Sequence, residues 1–450
     1  MRHIFWVLAV FLAVAGPVIW PRSYNEAIPS LSERVEPWKL TASVALGRIQ
    51  ADEMSVQEYA ESLLERIKAR DEDVKAWAYL DEKRVIQEAR LLDEIPKKNR
   101  GPLHGLPIAV KDVIHTKDMP TQFNSPLYEG HFPETDAASV RILRHAGALI
   151  FGKTTTTEFA AIHVGPKTRN PHDFLRTPGG SSSGSGAALA DFQVPIALGT
   201  QTGGSLIRPA SFNGIYGFKP TWNSVSREGQ KIYALMYDTL GWYGDDNDEE
   251  HAFKGIEGAH FAICKTSVWS MAGPGTQDAL ARAADLLRSH GAEVHELELP
   301  SKFNDVPEWY RIGLHTEGRT SFLPEYRVGK DQIGQALIEH VENSDNFTRK
   351  TQLMASDNLA AMRPVFDFIA SQYVAIITPS VPDEAPGLHV PVLNVPGFKG
   401  DHDMPIGLSL VAPRYRDRHL LEVGKAVGKI FEAEGGWETK TELEKEVTTV

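Results

Sequence analysis

Residues 179–222, GGSSSGSGAALADFQVPIALGTQTGGSLIRPASFNGIYGFKPTW, constrain this chain more than any other stretch. Two glycine/serine clusters, Gly179–Gly186 and Gly203–Ser205, bracket an apolar run able to form a helix and then a strand. Glycine at this density lets the backbone turn sharply and approach a ligand where a side chain would block it. Each cluster also sets a serine hydroxyl beside main-chain N–H groups. Those are the parts needed to attack a carbonyl and to hold the oxyanion that results. A flexible Gly/Ser linker has a similar composition, but it has no use for the apolar segments VPIAL (194–198) and IYGF (215–218).

Two other glycine-rich motifs fail on context. Gly180 to Gly184 fits the G-x-S-x-G nucleophile elbow with Ser182 as nucleophile, but that elbow follows a hydrophobic strand directly. Here the preceding residues are NPHDFLRTPG (170–179), a loop composition. A phosphate-binding loop needs Gly-Lys-Ser/Thr after its glycines, and none follows.

The stretch resembles the amidase signature, whose usual form is GGSSGGS, then G-[ST]-D-x-G-G-S-[IV]-R-x-P, then a GxKPT tail. The match runs over more than forty residues and ends in GFKPT (217–221). Upstream, GPLHGLPIAVKD (101–112) is similar to the family's lysine-bearing strand. Similarity to one subgroup of bacterial and fungal amidases extends over nearly the whole chain after residue 36. It includes DMPTQFNSPLY (118–128), LIFGKTTTTEFA (149–160) and IGLSLVAPRYRD (406–417).

The resemblance implies three catalytic positions, Lys111, Ser181 and Ser205. The last two are 24 positions apart, the family's usual spacing, which selects Ser181 over Ser182 and Ser183. It also implies a cis peptide bond before Ser181, where Gly179 and Gly180 supply backbone freedom. In this scheme Ser205 attacks the amide carbon and forms an ester intermediate, which divides one difficult hydrolysis into two easier steps. Lys111 acts as base only when neutral, and desolvation in an apolar strand lowers a lysine's pKa in that direction. Ser181 passes the proton between them. The backbone N–H groups of Thr202, Gly203, Gly204 and Ser205 form the oxyanion hole, where losing one donor costs roughly 2.7–4 kcal/mol of barrier lowering. No metal or cofactor enters the scheme.

Each residue alone has a plainer explanation. Lys111 could snorkel from an edge strand, the three serines could be turn residues, and Ser205 could cap a following helix. It is their order and spacing together that favour chemistry.

The chain departs from the family's pattern in three places. Gln201 stands where the signature has an acidic residue, and Arg208 comes one place late; the subgroup it resembles shares this TQTGGS-x-IRP form. After DTLGW (238–242) the chain reads GDDNDEEHAFKG, short and acidic, in place of a family helix. Between Glu384 and Val392 it reads EAPGLHVPV, without a segment that lines the acyl pocket in relatives.

The rest of the chain reads as α/β. Ser55-Val56-Gln57-Glu58 has capping-box spacing, and Tyr59, Leu63, Leu64 and Ile67 share one helical face within a helical region at 40–70. A second helical pattern runs from Lys83 to Asp93. LPIAVKDVI (106–114) reads as a strand with a buried lysine, which is uncommon unless the lysine is paired or used. Thr135–Gly147 reads as a helix with Thr135 as cap and Gly147 closing it, followed by a strand at 148–153. Further strands are expected at 194–198, 215–218, 259–264, 292–299, 373–379 and 405–413. Helices are expected at 276–291, 353–371 and 417–434. Strand–helix–strand alternation without internal repeats gives a single α/β/α domain. The resemblance adds a mixed sheet core flanked by helices, over 36–440 with its core signature at 101–222.

A chain of 450 residues with 42% hydrophobic content buries a large core, and a formal net charge of −12 with no basic block makes nucleic acid a poor partner. The single cysteine, Cys264, forms no intramolecular disulfide. Arg2 and His3 precede an apolar run from Ile4 to Ala15, and Ala13-Val14-Ala15 has the form of a cleavage site. Residues 1–22 therefore read as a signal peptide or short apolar leader, with secretion expected and no membrane span after its removal. The alternatives are an uncleaved anchor, disfavoured by Pro17 and Pro21, and a start codon placed too far upstream with a cytoplasmic protein. Asn346-Phe347-Thr348 is one glycosylation sequon.

The expected function is hydrolysis of a small linear carboxamide through a Ser205 acyl-enzyme. The alternatives are an amidase-like pseudoenzyme with an incompetent pocket and an amidotransferase-type subunit. Gln201 and the leader argue against the last.

Overall fold

A computed structural model describes residues 36–162, 165–244, 253–381 and 388–438. The expected leader lies outside these residues, as do 245–252 and 384–387 of the two shortened segments. Apolar runs become the strands of one sheet: Trp77–Tyr79 (β1), Pro107–Lys111 (β2), Leu149–Thr154 (β3), Ile196–Gln201 (β4), Tyr216–Lys219 (β5) and Thr239–Gly244 (β6). The second half of the chain adds His260–Cys264 (β7), Glu293–Leu297 (β8), Ala375–Pro379 (β9), Val392–Lys399 (β10) and Pro405–Val411 (β11). Their order is β1-β3-β2-β4-β6-β5-β10-β11-β9-β7-β8. Parallel pairing joins β3, β2 and β4 at one end and β9, β7 and β8 at the other. The strands between pair antiparallel, so the sheet is mixed.

Side chains alternate across the sheet, which sorts each strand's residues between two cores. Phe261, Ile263, Ile377, Leu393 and Leu408 pack with the helices Pro274–Ser289 and Asp417–Glu434. Their neighbours Ala262, Cys264, Ile376 and Val392 face the helix Arg349–Ala370 through Leu359, Met362 and Phe366. Helices thus cover both faces of the mixed sheet, as expected. Among the described residues, no helix is long and apolar enough to cross a membrane.

Local signals behave largely as read. Ser55 Oγ accepts from the Glu58 N–H and starts the helix Val56–Val74, on which Tyr59, Leu63, Leu64 and Ile67 are buried. The helix expected from Thr135 instead runs Ala138–His145. Its N-cap is Ala137, with no side-chain cap, so Thr135 is not the capping residue. Gly147 does close that turn, at φ 90°. The sequon's Thr348 caps the helix Arg349–Ala370, its Oγ1 accepting from the Thr351 N–H.

Three strands escaped the sequence patterns. β1 is only three residues long. β6 carries Gly241, where a Cβ would stand 2.2 Å from the Phe218 carbonyl oxygen, so the close approach of β5 requires glycine. β10 contains Pro396 and Gly397, which normally argue against a central strand. They fall where the β10–β11 register shifts between Val395 and Phe398, and a bulge frees the ladder position that proline cannot fill.

Candidate active site

β2 ends on Lys111, between β3 and β4, so its side chain has no edge from which to snorkel and is fully buried. Nζ lies 2.7 Å from Ser181 Oγ and 2.8 Å from Thr200 Oγ1, donating to both hydroxyls. Among the described residues, no carboxylate pairs with it. Burial holds its ammonium well below the usual lysine range. The Asp238 carboxylate opposes that shift and the Arg208 guanidinium adds to it.

A second buried lysine shows what pairing looks like in the same sheet. Lys153 on β3 registers with Val110 and so projects from the opposite face to Lys111. Its Nζ stands 3.1 Å from Asp112 Oδ1 and 2.6 Å from Thr121 Oγ1. Burial pulls Lys153 down and pushes Asp112 up, while each partner's charge opposes the shift. Lys153 therefore has an anion and a structural use, whereas Lys111 has two hydroxyls.

Ser181 follows a cis Gly180–Ser181 peptide bond, with Gly179 at φ 80°. Its position is held from several sides. The Ser181 carbonyl accepts from the Thr157 N–H at 3.2 Å. The Gly180 carbonyl accepts from both Nε and Nη2 of Arg208, at 3.0 and 2.8 Å. The arginine that stands one place late thus joins the two glycine clusters. The helix Ser183–Ala190 then packs tightly on the sheet, where a Cβ on Gly184 would meet the Ala76 carbonyl at 2.1 Å.

Ser182 is excluded as an elbow nucleophile. Its hydroxyl is fully buried and committed to β4, donating to the Thr200 carbonyl at 3.2 Å and accepting from the Thr200 N–H at 3.3 Å.

Ser205 lies between the end of β4 and the helix Ile207–Asn213. Its carbonyl accepts from the Ser182 N–H at 3.4 Å and from the Tyr243 hydroxyl at 3.2 Å, which fixes its main chain against the Ser181 loop. Its side chain does not cap the helix, whose N-cap is Leu206. Gln201 does that work instead: Oε1 accepts from the N–H groups of Leu206 and Ile207 at 2.7 and 3.0 Å. An amide oxygen thus suffices where the signature has an acid.

The residues expected to form the oxyanion hole sit in this same turn. Gly203 and Gly204 belong to neither the β4 ladder nor the following helix, and the Gly204 carbonyl accepts the first helical bond, from Arg208. A Cβ on Gly203 would stand 2.9 Å from the Tyr310 hydroxyl. Thr202 Oγ1 donates to Asp238 Oδ1 at 2.6 Å.

Asp238 and Tyr310 are the residues that motif reasoning missed. Burial pushes the Asp238 carboxyl up to about 6, and hydrogen bonds from Thr202 and from the N–H groups of Tyr233 and Ala234 pull against that. Asp238 opens the DTLGW segment, so an acid directly before a strand was the one signal present. Tyr310 comes from the helix Val306–Ser321 and packs edge-on against Tyr237 with centroids 4.9 Å apart. No local pattern announces it.

This geometry has close counterparts. A family model described as Amidase matches residues 58–249. One glutamyl-tRNA(Gln) amidotransferase subunit, from Symbiobacterium thermophilum, is 30% identical over 84% of this chain and 94% of its own length. The chain belongs to the amidase signature family. Enzymes of this family act on carbon–nitrogen bonds. Among solved structures, an amidase is 29% identical with a TM-score of 0.78, covering 88% of this chain and 100% of that one. The peptide amidase from Stenotrophomonas maltophilia is 25% identical with a TM-score of 0.75, covering 90% and 99%.

Proposed function

We propose that this amidase signature protein hydrolyses a linear carboxamide through an acyl-enzyme on Ser205. One observation carries the proposal: a fully buried lysine whose amine contacts Ser181 Oγ at 2.7 Å and, among the described residues, pairs with no carboxylate. Ser205 Oγ attacks the carbonyl carbon while its proton passes to Ser181, whose own proton passes to the neutral Lys111 amine. The same 2.7 Å separation serves an amine that accepts from the Ser181 hydroxyl. The oxyanion is met by N–H groups of the Thr202–Ser205 turn. The C–N bond breaks as the relay returns a proton to the departing nitrogen, and water then hydrolyses the ester.

The curated relatives support a second reading, because the Symbiobacterium protein and its counterpart in Streptomyces coelicolor are each named as one component of an amidotransferase. An amidotransferase-type subunit would use the same nucleophile and hand the released ammonia to a partner. Intact mass after exposure to a serine-directed fluorophosphonate tests the shared chemistry. One adduct on the wild type, absent from Ser205→Ala, is the expected result. A folded wild type that takes no adduct overturns the acyl-enzyme and leaves an amidase-like pseudoenzyme. Co-purification with further subunits, together with amide hydrolysis only in their presence, would favour the amidotransferase.

A further inference from the structure

The sheet ends on β8, at the far side from β1. Parallel pairing of β7 with β8 sets His260 opposite Glu293 and Ala262 opposite His295. Glu293 and His295 are two apart on one strand and share a face, and His260 in register with Glu293 shares it too. The side chains converge accordingly. His260 Nε2 lies 3.6 Å from Glu293 Oε2, and His295 Nε2 lies 3.8 Å from the same oxygen. One ligand atom from each residue lies within 4.8 Å of the other two, and among the described residues this is the only such group of three metal-ligating side chains. The two imidazoles stack with centroids 5.6 Å apart at an interplanar angle of 23°. Tyr373 lies beyond His295, its ring 6.1 Å away.

We propose that His260, Glu293 and His295 form a surface site for a divalent transition metal, Zn²⁺ foremost. The ordinary alternative is an exposed ion pair, which contributes little to stability and needs only one cation. Here two imidazoles aim at one carboxylate oxygen. Were both protonated, two stacked cations would repel each other. An imidazole whose Nε2 carries the lone pair can instead turn it toward a cation held beside the Glu293 carboxylate, and two such rings with one carboxylate are a donor set that a metal satisfies. The spacing to the carboxylate agrees: two ligands held ~2.0–2.1 Å from a tetrahedral zinc stand roughly 3.3 Å apart, a few tenths of an ångström inside the two distances to Glu293 Oε2, 3.6 and 3.8 Å. Small side-chain rotations close that gap, and exposure of all three residues leaves them free to make it. Imidazole with carboxylate suits zinc and its neighbours, whereas calcium and magnesium call for oxygen ligands throughout. Three protein ligands leave a fourth position for water. The ion would pin the outermost strand of the sheet to its neighbour.

Calorimetric titration of the untagged full chain with ZnCl₂ tests the site, alongside Co²⁺ absorption as a coordination probe. The expected result is one equivalent of Zn²⁺ that the double variant H260A/H295A does not take up. Affinity should fall by at least about tenfold when either imidazole is removed alone. Glu293→Gln keeps both imidazoles and the side chain's size, and should also weaken binding. Zinc should raise the melting temperature of the wild type and not that of the double variant. Since all three residues are exposed, the metal-free melting temperatures should coincide and exclude misfolding as the cause. A wild type that binds no zinc overturns the proposal, as does undiminished affinity in the variants.

Discussion

Replacing Lys111 by methionine keeps an unbranched side chain of similar length and deletes only the amine. Two contacts vanish, the 2.7 Å bond to Ser181 Oγ and the 2.8 Å bond to Thr200 Oγ1. Each buried hydroxyl left without a partner costs about 1–3 kcal/mol. The removal of a desolvated amine offsets part of that cost, so the fold should survive with a modest loss. Reactivity should suffer far more. A positioned general base is worth about 10²–10⁴-fold, or about 3–5 kcal/mol of barrier at 1.36 kcal/mol per decade. The assay is the rate of fluorophosphonate adduct formation on Ser205, followed by mass from about pH 5 to pH 11 to span the ordinary lysine value and a depressed one. The wild-type rate should rise as Lys111 loses its proton, with a midpoint below the usual lysine range. The variant should be slow and lack that step. Stability carries the matching sign: the folded pKa lies below the unfolded one, so the unfolded state binds the proton more readily and stability falls on acidification. Labelling of K111M at the wild-type rate across this range, in a protein that melts cooperatively, would refute the relay.

Two further substitutions separate chemistry from architecture. Ser182→Ala breaks two bonds to the Thr200 main chain. It should lower stability by about 1–3 kcal/mol in denaturant melts and leave Ser205 labelling unchanged; abolished labelling would restore Ser182 as nucleophile. Asp238, raised from 3.8 to about 6, contributes stability that is fully present below its unfolded value and lost as pH rises through about 6. At neutral pH its buried charge costs on the order of 3 kcal/mol relative to the protonated form. Asp238→Asn should therefore flatten the decline in stability between pH 4 and 7, and an unchanged decline in urea melts would assign that pH dependence elsewhere.

What the sequence revealed depended on how far each signal reaches. The 24-residue interval between Ser181 and Ser205 and the lysine inside LPIAVKD carry meaning through the resemblance to the amidase signature, and the residues it selects lie around the ends of β2 and β4. The final helix, Asp417–Glu434, follows its hydrophobic period along its whole length. Features that depend on distant partners were not legible. Pro396 and Gly397 disguise β10 because only the register of β11 shows that a bulge accommodates them. Gln201 looks like a lost acid until its amide oxygen is seen capping Leu206 and Ile207. Tyr310 lies more than a hundred residues beyond the glycine it covers, and no spacing rule connects them.

Arg208 bonds to Gly180, Thr202 bonds to Asp238, Tyr243 bonds to Ser205, and Lys111 bonds to Ser181 and Thr200, so these side chains of the proposed proton path and its supports lie between residues 111 and 243. Tyr310 arrives from the other half of the chain. In the proposed mechanism the machinery of bond cleavage therefore comes from residues 111–243, and the later part of the chain brings Tyr310 over Gly203. The halves are nonetheless inseparable, because β5 pairs with β10 through Phe218 and Leu393. Cutting the chain between them would leave β5 with an open, sticky edge. A shared sheet thus ties the part of the chain that carries the proposed chemistry to the part that covers it.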